Sequence, residues 1–400
     1  MPMIHASPRL VARGLGALRP FPRRSRAGDT AFLLRDVTMA LPAGQCLSLL
    51  EGEAGLGELM VDTLLGHVRT SAGTLLLDGQ SIQDLRPGRR GLAVVSSRDP
   101  LLDHLSVGAN IRLAAEARGL GFAEATRQAA EAAALAGMEG LREAPIATLS
   151  PGERVRASLA RALAGAPAAI ILHDPFAGLP SAERHALQRL CRRLVRAREL
   201  SLLVVSADPE ETLVLGDVVG VLANGTIEQS GSPTELLDRP RSVAVATLLG
   251  GANRMSGHVI SVDDDLALVR LACGATMEVG ADPDTAPGTV CSICIRPERV
   301  AVAFLRRAET EPVSDAVPAT LSEVVQMGDH LRLRFRLSDG TEMLAKRPAA
   351  QPLGELRPDR PALLAWQPQH ASLLPLGDPM PDRRPARHPG RGGLFRRRAY

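Results

Sequence analysis

Short apolar runs alternate with longer segments of helical period from about residue 30 to 240. The runs Cys46 to Leu50, Leu92 to Val95, Ala168 to Leu172, Leu202 to Ser206 and Val218 to Leu222 predict strands. Strands separated by helices predict a mostly parallel sheet covered by helices, an α/β fold. Between the second and third runs lies the alanine-rich stretch Val107 to Met138, broken by Gly119 and Gly121, which predicts an inserted helical subdomain. Beyond about residue 250 the period falls to two. In HLRLRFRL (330–337), Leu331, Leu333, Phe335 and Leu337 alternate with Arg332, Arg334 and Arg336, and the turn signal Ser338-Asp339-Gly340 follows. A small all-β barrel or sandwich is predicted there. The end, PMPDRRPARHPGRGGLFRRRAY, has no period and predicts a disordered basic tail.

A chain of 400 residues with 45% apolar content suits two or three globular domains. Of its 47 basic residues, only Lys346 is a lysine. Such usage resembles a base-composition bias, and no function is read from it. The net charge of +3 is uneven: residues 1–28 carry six Arg and no acid, and residues 377–400 carry seven Arg against two Asp, so the body between them is acidic. An acidic body argues against a nucleic-acid partner; the basic ends are expected to be solvated, with anionic lipid as the functional alternative. No run approaches the roughly 20 apolar residues of a membrane span. Arg9, Arg13 and Pro20 interrupt the place where a secretory peptide needs an apolar stretch, so a cytoplasmic location is expected. Five cysteines agree with a reducing compartment. Cys291 and Cys294 have C-x-x-C spacing, but on a strand such positions face opposite ways, so structural thiols are expected rather than a metal site.

Leu47 to Leu59 (LSLLEGEAGLGEL) reads as an apolar strand, a glycine-rich turn and a helix start. That is the setting of a phosphate-binding loop of pattern G-x-x-x-x-G-K-[ST]. Gly52, Gly55 and Gly57 stand in place, but Glu58 holds the lysine position and Leu59 the hydroxyl position. Further along come DHLSVGANI (103–111), TLSPGERVRASLARAL (148–163), NGTIEQSGSPTELLDRP (224–240), IRPERV (295–300) and LLAWQPQHASLLP (363–375). In this order the segments resemble the nucleotide-binding subunit of an ABC importer with a C-terminal OB-like TOBE region, as in polyamine, iron and sugar uptake.

The resemblance implies a P-loop NTPase-like ABC domain over residues 1–245, with a basic lead in residues 1–28, a TOBE domain over 246–376 and the tail from 377 to 400. It also implies ATP and Mg as cofactors, transmembrane permease subunits as partners, and a dimer that sandwiches ATP between one subunit's P-loop and the other's signature motif. Peripheral attachment to the inner face of the membrane follows. Residue by residue, the catalytic side chains depart from the family. His173-Asp174-Pro175 stands where Asp-Glu-Pro is expected, so His173 takes the Mg-ligand position and Asp174 the catalytic carboxylate position. No metal site is read there, and a strand-end histidine is the expectation for His173. Ser97 falls at the Q-loop glutamine and Ala207 at the switch histidine, while Ala177, Gly178, Leu179 and Pro180 replace the D-loop. The signature motif keeps Ser150 and Gly152, followed by Glu153, but Pro151 removes a backbone donor and restricts Ser150. The expected function is a catalytically degenerate coupling or regulatory subunit, pairing with itself or with a competent ATPase subunit. An active importer ATPase and a non-functional relic are the alternatives.

Overall fold

A computed structural model describes residues 8–18, 33–96, 100–282, 284–305, 315–349 and 356–376. In chain order the first part runs β1 (Pro8–Leu18), β2 (Leu33–Pro42), β3 (Cys46–Glu51), α1 (Leu56–Leu65), β4 (Thr70–Leu77), β5 (Gln80–Ser81) and β6 (Leu92–Ser96). It continues with α2 (Val107–Glu116), α3 (Phe122–Ala136), α4 (Pro151–Ala164), β7 (Ala169–His173), α5 (Ser181–Arg198) and β8 (Ser201–Ser206). The elements α6 (Pro209–Leu215), β9 (Val218–Ala223), β10 (Thr226–Gly231) and α7 (Pro233–Asp238) close it.

The five expected strands all lie in one six-stranded sheet of order β10-β9-β3-β8-β7-β6. Its five strands β9, β3, β8, β7 and β6 are mutually parallel, and β10 adds an antiparallel edge. Parallel strands covered by helices are buried on both faces, which is why Ile170, Ile171, Leu203 and Val204 are all inaccessible. Gly119 and Gly121 fall between α2 and α3, which pack on α4 around an alanine-lined core.

One expectation fails. The basic first 28 residues are expected to be solvated, yet among them Pro8–Leu18 is an inner strand of an antiparallel sheet of order β2-β1-β4-β5. Leu10, Ala12, Leu15 and Ala17 are buried in the same core as Leu59 and Leu64 of α1. The alternation Leu10, Ala12 is broken where the register shifts around Gly14, and this irregularity hid the strand's period.

Among the described residues from Asn253 onward every strand pairing is antiparallel except for one parallel bridge. The strands are β11 (Asn253–Asp263), β12 (Leu266–Leu271), β13 (Thr276–Gly280), β14 (Val290–Ile295), β15 (Ala301–Phe304), β16 (Val317–Gln326), β17 (His330–Arg336), β18 (Glu342–Pro348), β19 (Pro361–Ala365) and β20 (Ala371–Pro375). Strands β11-β12-β13-β20-β14 close a barrel, and β15-β19-β16-β17-β18 form a second sheet over the same core. On β17, Leu333 and Phe335 point inward, while Arg334 pairs outward with Glu323 and Glu342. Cys291 enters the barrel core while Cys294 packs against Ala246 and Leu374, the opposite-face arrangement expected of strand positions three apart. Among the described residues no helix is long and apolar enough to cross a membrane.

Candidate functional site at the strand ends

Strand β3 delivers the chain into the loop Gly52–Gly55, which turns into α1. Gly55 caps the helix at φ 97, a conformation that needs glycine, and Leu59 N donates to Gly55 O. The stripe Leu56, Leu59, Met60 and Leu64 is buried against the sheet. Leu59 is wholly inaccessible, so the position that carries a hydroxyl in the motif is here part of the core. Glu58 occupies the first turn, where a carboxylate is favourable against the helix dipole. The far end of α1 is equally well served. Buried Arg90 donates to Thr63 O at 2.7 Å and Leu64 O at 2.9 Å, satisfying carbonyls that the last turn leaves open. An acid at one end and a guanidinium at the other stabilise α1 without any bound anion.

The sequence reading missed Glu51, the last residue of β3. Its only signal was a charge closing an apolar run. The structure brings it under the loop: a Cβ on Gly57 would stand 2.6 Å from Glu51 Oε2 and 2.8 Å from Val205 Cγ1 of β8. On the other side, Glu51, His173 and Asp174 bring their ligand atoms within 4.8 Å of one another. His173 Nε2 lies 3.7 Å from Asp174 Oδ2. Asp174 has φ 44, and its Oδ1 accepts from Ala207 N at 3.1 Å, so the positions aligned with catalytic glutamate and switch histidine are neighbours. Behind them Ser206 Oγ donates to Glu211 Oε2 at 2.8 Å. Glu211 is only 2% exposed, and burial pushes its carboxyl above the usual range against the opposing pull of that hydrogen bond. Ser97 lies outside the described residues.

Residues 34–177 match the ABC transporter family, and residues 293–374 match the TOBE domain. The spermidine/putrescine import ATP-binding protein PotA 1 of Pseudomonas aeruginosa is 30% identical over 320 residues, covering 79% of this chain and 85% of that protein. The chain belongs to the ABC transporter family. Its type is the importer ATP-binding subunit with a C-terminal TOBE domain. A PotA of Rubrobacter xylanophilus is 28% identical over 352 residues, covering 87% of this chain and 91% of its own. The sulfate/thiosulfate import ATP-binding protein CysA of Nocardia farcinica is 29% identical over 314 residues, covering 78% and 92%. Among solved structures, cbiO1 of Clostridium perfringens, part of the ABC transporter complex cbiONQ, superposes with TM-score 0.50 at 22% identity over 57% of this chain and 90% of its own, which supports the fold.

In this ABC subunit the signature segment builds a well-formed helix start. Ser150 caps α4, its Oγ accepting from Glu153 N at 3.2 Å while Ser150 N donates to Glu153 Oε2 at 2.8 Å. Pro151 falls at the first helical position, where the missing N–H has no helical partner to lose. Gly152 is buried, and a Cβ there would run into Glu183 Oε2 from α5. A carboxylate thus lies against the motif.

Proposed function

We propose that this protein is a nucleotide-free, non-hydrolysing ATP-binding-type subunit of an ABC importer, acting as a coupling or regulatory partner of permease subunits at the inner face of the membrane. The observation that carries the reading is Glu58 in the first turn of α1, where the motif has lysine, beside the buried Leu59 at the hydroxyl position. Polyphosphate binding needs positive charge at that spot. At about 4 Å and an effective dielectric near 20, replacing one attractive unit pair by a repulsive one changes binding by up to about 8 kcal/mol. A micromolar site is worth about 8 kcal/mol altogether. Imidazole at His173 is a poor ligand for Mg2+, and buried Leu59 offers that ion nothing. The residues present do not fit Mg-ATP.

Decay without function is disfavoured by the distribution of change. The strand cores, the α4 capping box, the C-cap of α1 and the barrel core are all well formed, whereas the departures gather on phosphoryl-transfer positions. The unit of residues 1–245, the TOBE unit of 246–376 and the basic tail of 377–400 are the proposed division of the chain. Calorimetric titration of the purified protein with Mg-ATP tests the proposal. No binding at millimolar nucleotide and no hydrolysis above background are expected; micromolar binding, or turnover near the 1–100 per second common in phosphoryl transfer, overturns it.

A further inference from the structure

The geometry points to a binding site for a first-row divalent metal ion, Zn2+ above all, formed by Glu51, His173 and Asp174 where β3 and β7 end beneath the glycine loop. Their ligand atoms lie within 4.8 Å of one another, and His173 Nε2 stands 3.7 Å from Asp174 Oδ2. That separation is too long for a hydrogen bond. It is close to the roughly 3.4 Å that two ligands keep around a tetrahedral ion with bonds of about 2.1 Å. The widest pair needs to contract by at most about 1.4 Å, a side-chain adjustment.

A second observation is independent of the grouping. Glu51 Oε1 is buried and has no hydrogen-bond partner among the described residues. A desolvated carboxylate oxygen in that condition calls for a proton or a cation. Asp174 is already oriented: Oδ1 takes the Ala207 N–H, leaving Oδ2 toward His173, as outer contacts orient metal-binding carboxylates.

The donor set selects the metal. Two carboxylates and one imidazole suit Zn2+, which accepts mixed N and O ligands with three protein donors and one open position. Mg2+ prefers oxygen alone in an octahedron. Two carboxylate charges also balance a divalent ion. Glu51 precedes the loop and has no counterpart among the motif positions G-x-x-x-x-G-K-[ST], whereas His173 and Asp174 align with the family's Mg-ligand and catalytic carboxylate positions, so the site lies beside the family's metal position and differs from it in its donor set. The inference rests on the reading that Mg-nucleotide does not occupy the loop.

The experiment uses the full-length protein stripped with a chelator. Zn2+ and Mg2+ are titrated by calorimetry, and Co2+ is added as a spectroscopic probe. One equivalent of Zn2+ should bind, with Mg2+ far weaker, and the Co2+ bands should show nitrogen and oxygen ligation without a thiolate charge-transfer band. Glu51→Gln and His173→Asn should each weaken Zn2+ by more than the roughly 100-fold that outer contacts alone can account for. Unchanged Zn2+ affinity in both folded variants, a thiolate spectrum, or no stoichiometric binding overturns the site. If either variant fails to fold, the Co2+ spectrum of the unaltered protein still decides. The Mg-ATP titration is run separately: ATP binding alongside Zn2+ binding sinks only the functional reading, and absence of both sinks only the metal site.

Discussion

Glu58 shows how one side chain can serve structure while opposing ligand. It complements the α1 dipole, and the same charge repels phosphate. Glu58→Lys alone is therefore expected to give at most weak nucleotide binding and no hydrolysis, because Leu59, His173 and Ala207 remain and catalytic groups acting as a unit are non-additive. Robust ATPase activity from that single change would refute this reading of the other positions. Glu211 carries a pH prediction. Its carboxyl is raised above the ordinary 4.5 chiefly by burial, so the folded state holds its proton more tightly than the unfolded chain does. Stability from this group is present below pH 4.5 and is lost as pH rises through the raised folded value. Glu211→Gln should accordingly melt higher than the parent at pH 8, with the gap narrowing toward pH 4. A gap that is constant with pH would remove the titration from the explanation.

At the scale of elements, the strands β3, β6, β7, β8 and β9 and the helices α2 and α3 were legible because each carries its period within a few residues. β1 was not legible. Its apolar positions are interrupted by Arg9, Arg13, Gly14 and Gly16, and two register shifts break the alternation. Its strand character comes from being hydrogen-bonded on both sides, to β2 and β4. Deleting residues 1–18 should expose the core face of α1 and β4 and abolish cooperative thermal unfolding, whereas deleting residues 377–400 should leave the melting temperature unchanged. Circular dichroism melts of the two truncated chains check both halves. A cooperative melt without residues 1–18 would show that β1 is dispensable.

For the whole molecule, the open question is what the subunit gives to a neighbour. The family resemblance aligns Ser150 and Gly152 with a signature motif presented across a dimer, but Ser150 Oγ serves the α4 cap and Glu183 lies against Gly152. We expect that, co-expressed with a competent ATPase subunit and permease, this protein acts as the silent half of a heterodimer. Ser150→Arg should then reduce transport and heterodimer ATPase, while Ser150→Asn, which preserves an N-cap acceptor, should not. Equal activity in all three would mean that nothing is contributed in trans.

Local pattern alone determined the α/β order, the helical insertion, the switch to period two near residue 250, the OB-like end and the family resemblance, since each depends on residues close together in the chain. Through the family resemblance it also led to the expectation that several phosphoryl-transfer side chains are absent. Whether those absences leave an empty loop or a differently furnished one depends on contacts between residues far apart. Glu51 and His173 come from strands separated by β8 in the sheet, and only the parallel pairing of β3 and β7 on either side of β8 carries their side chains to one place. The position of β1 inside its sheet was decided in the same way. Strand partners are chosen by the burial of whole faces, a property of the assembled core that no single segment encodes.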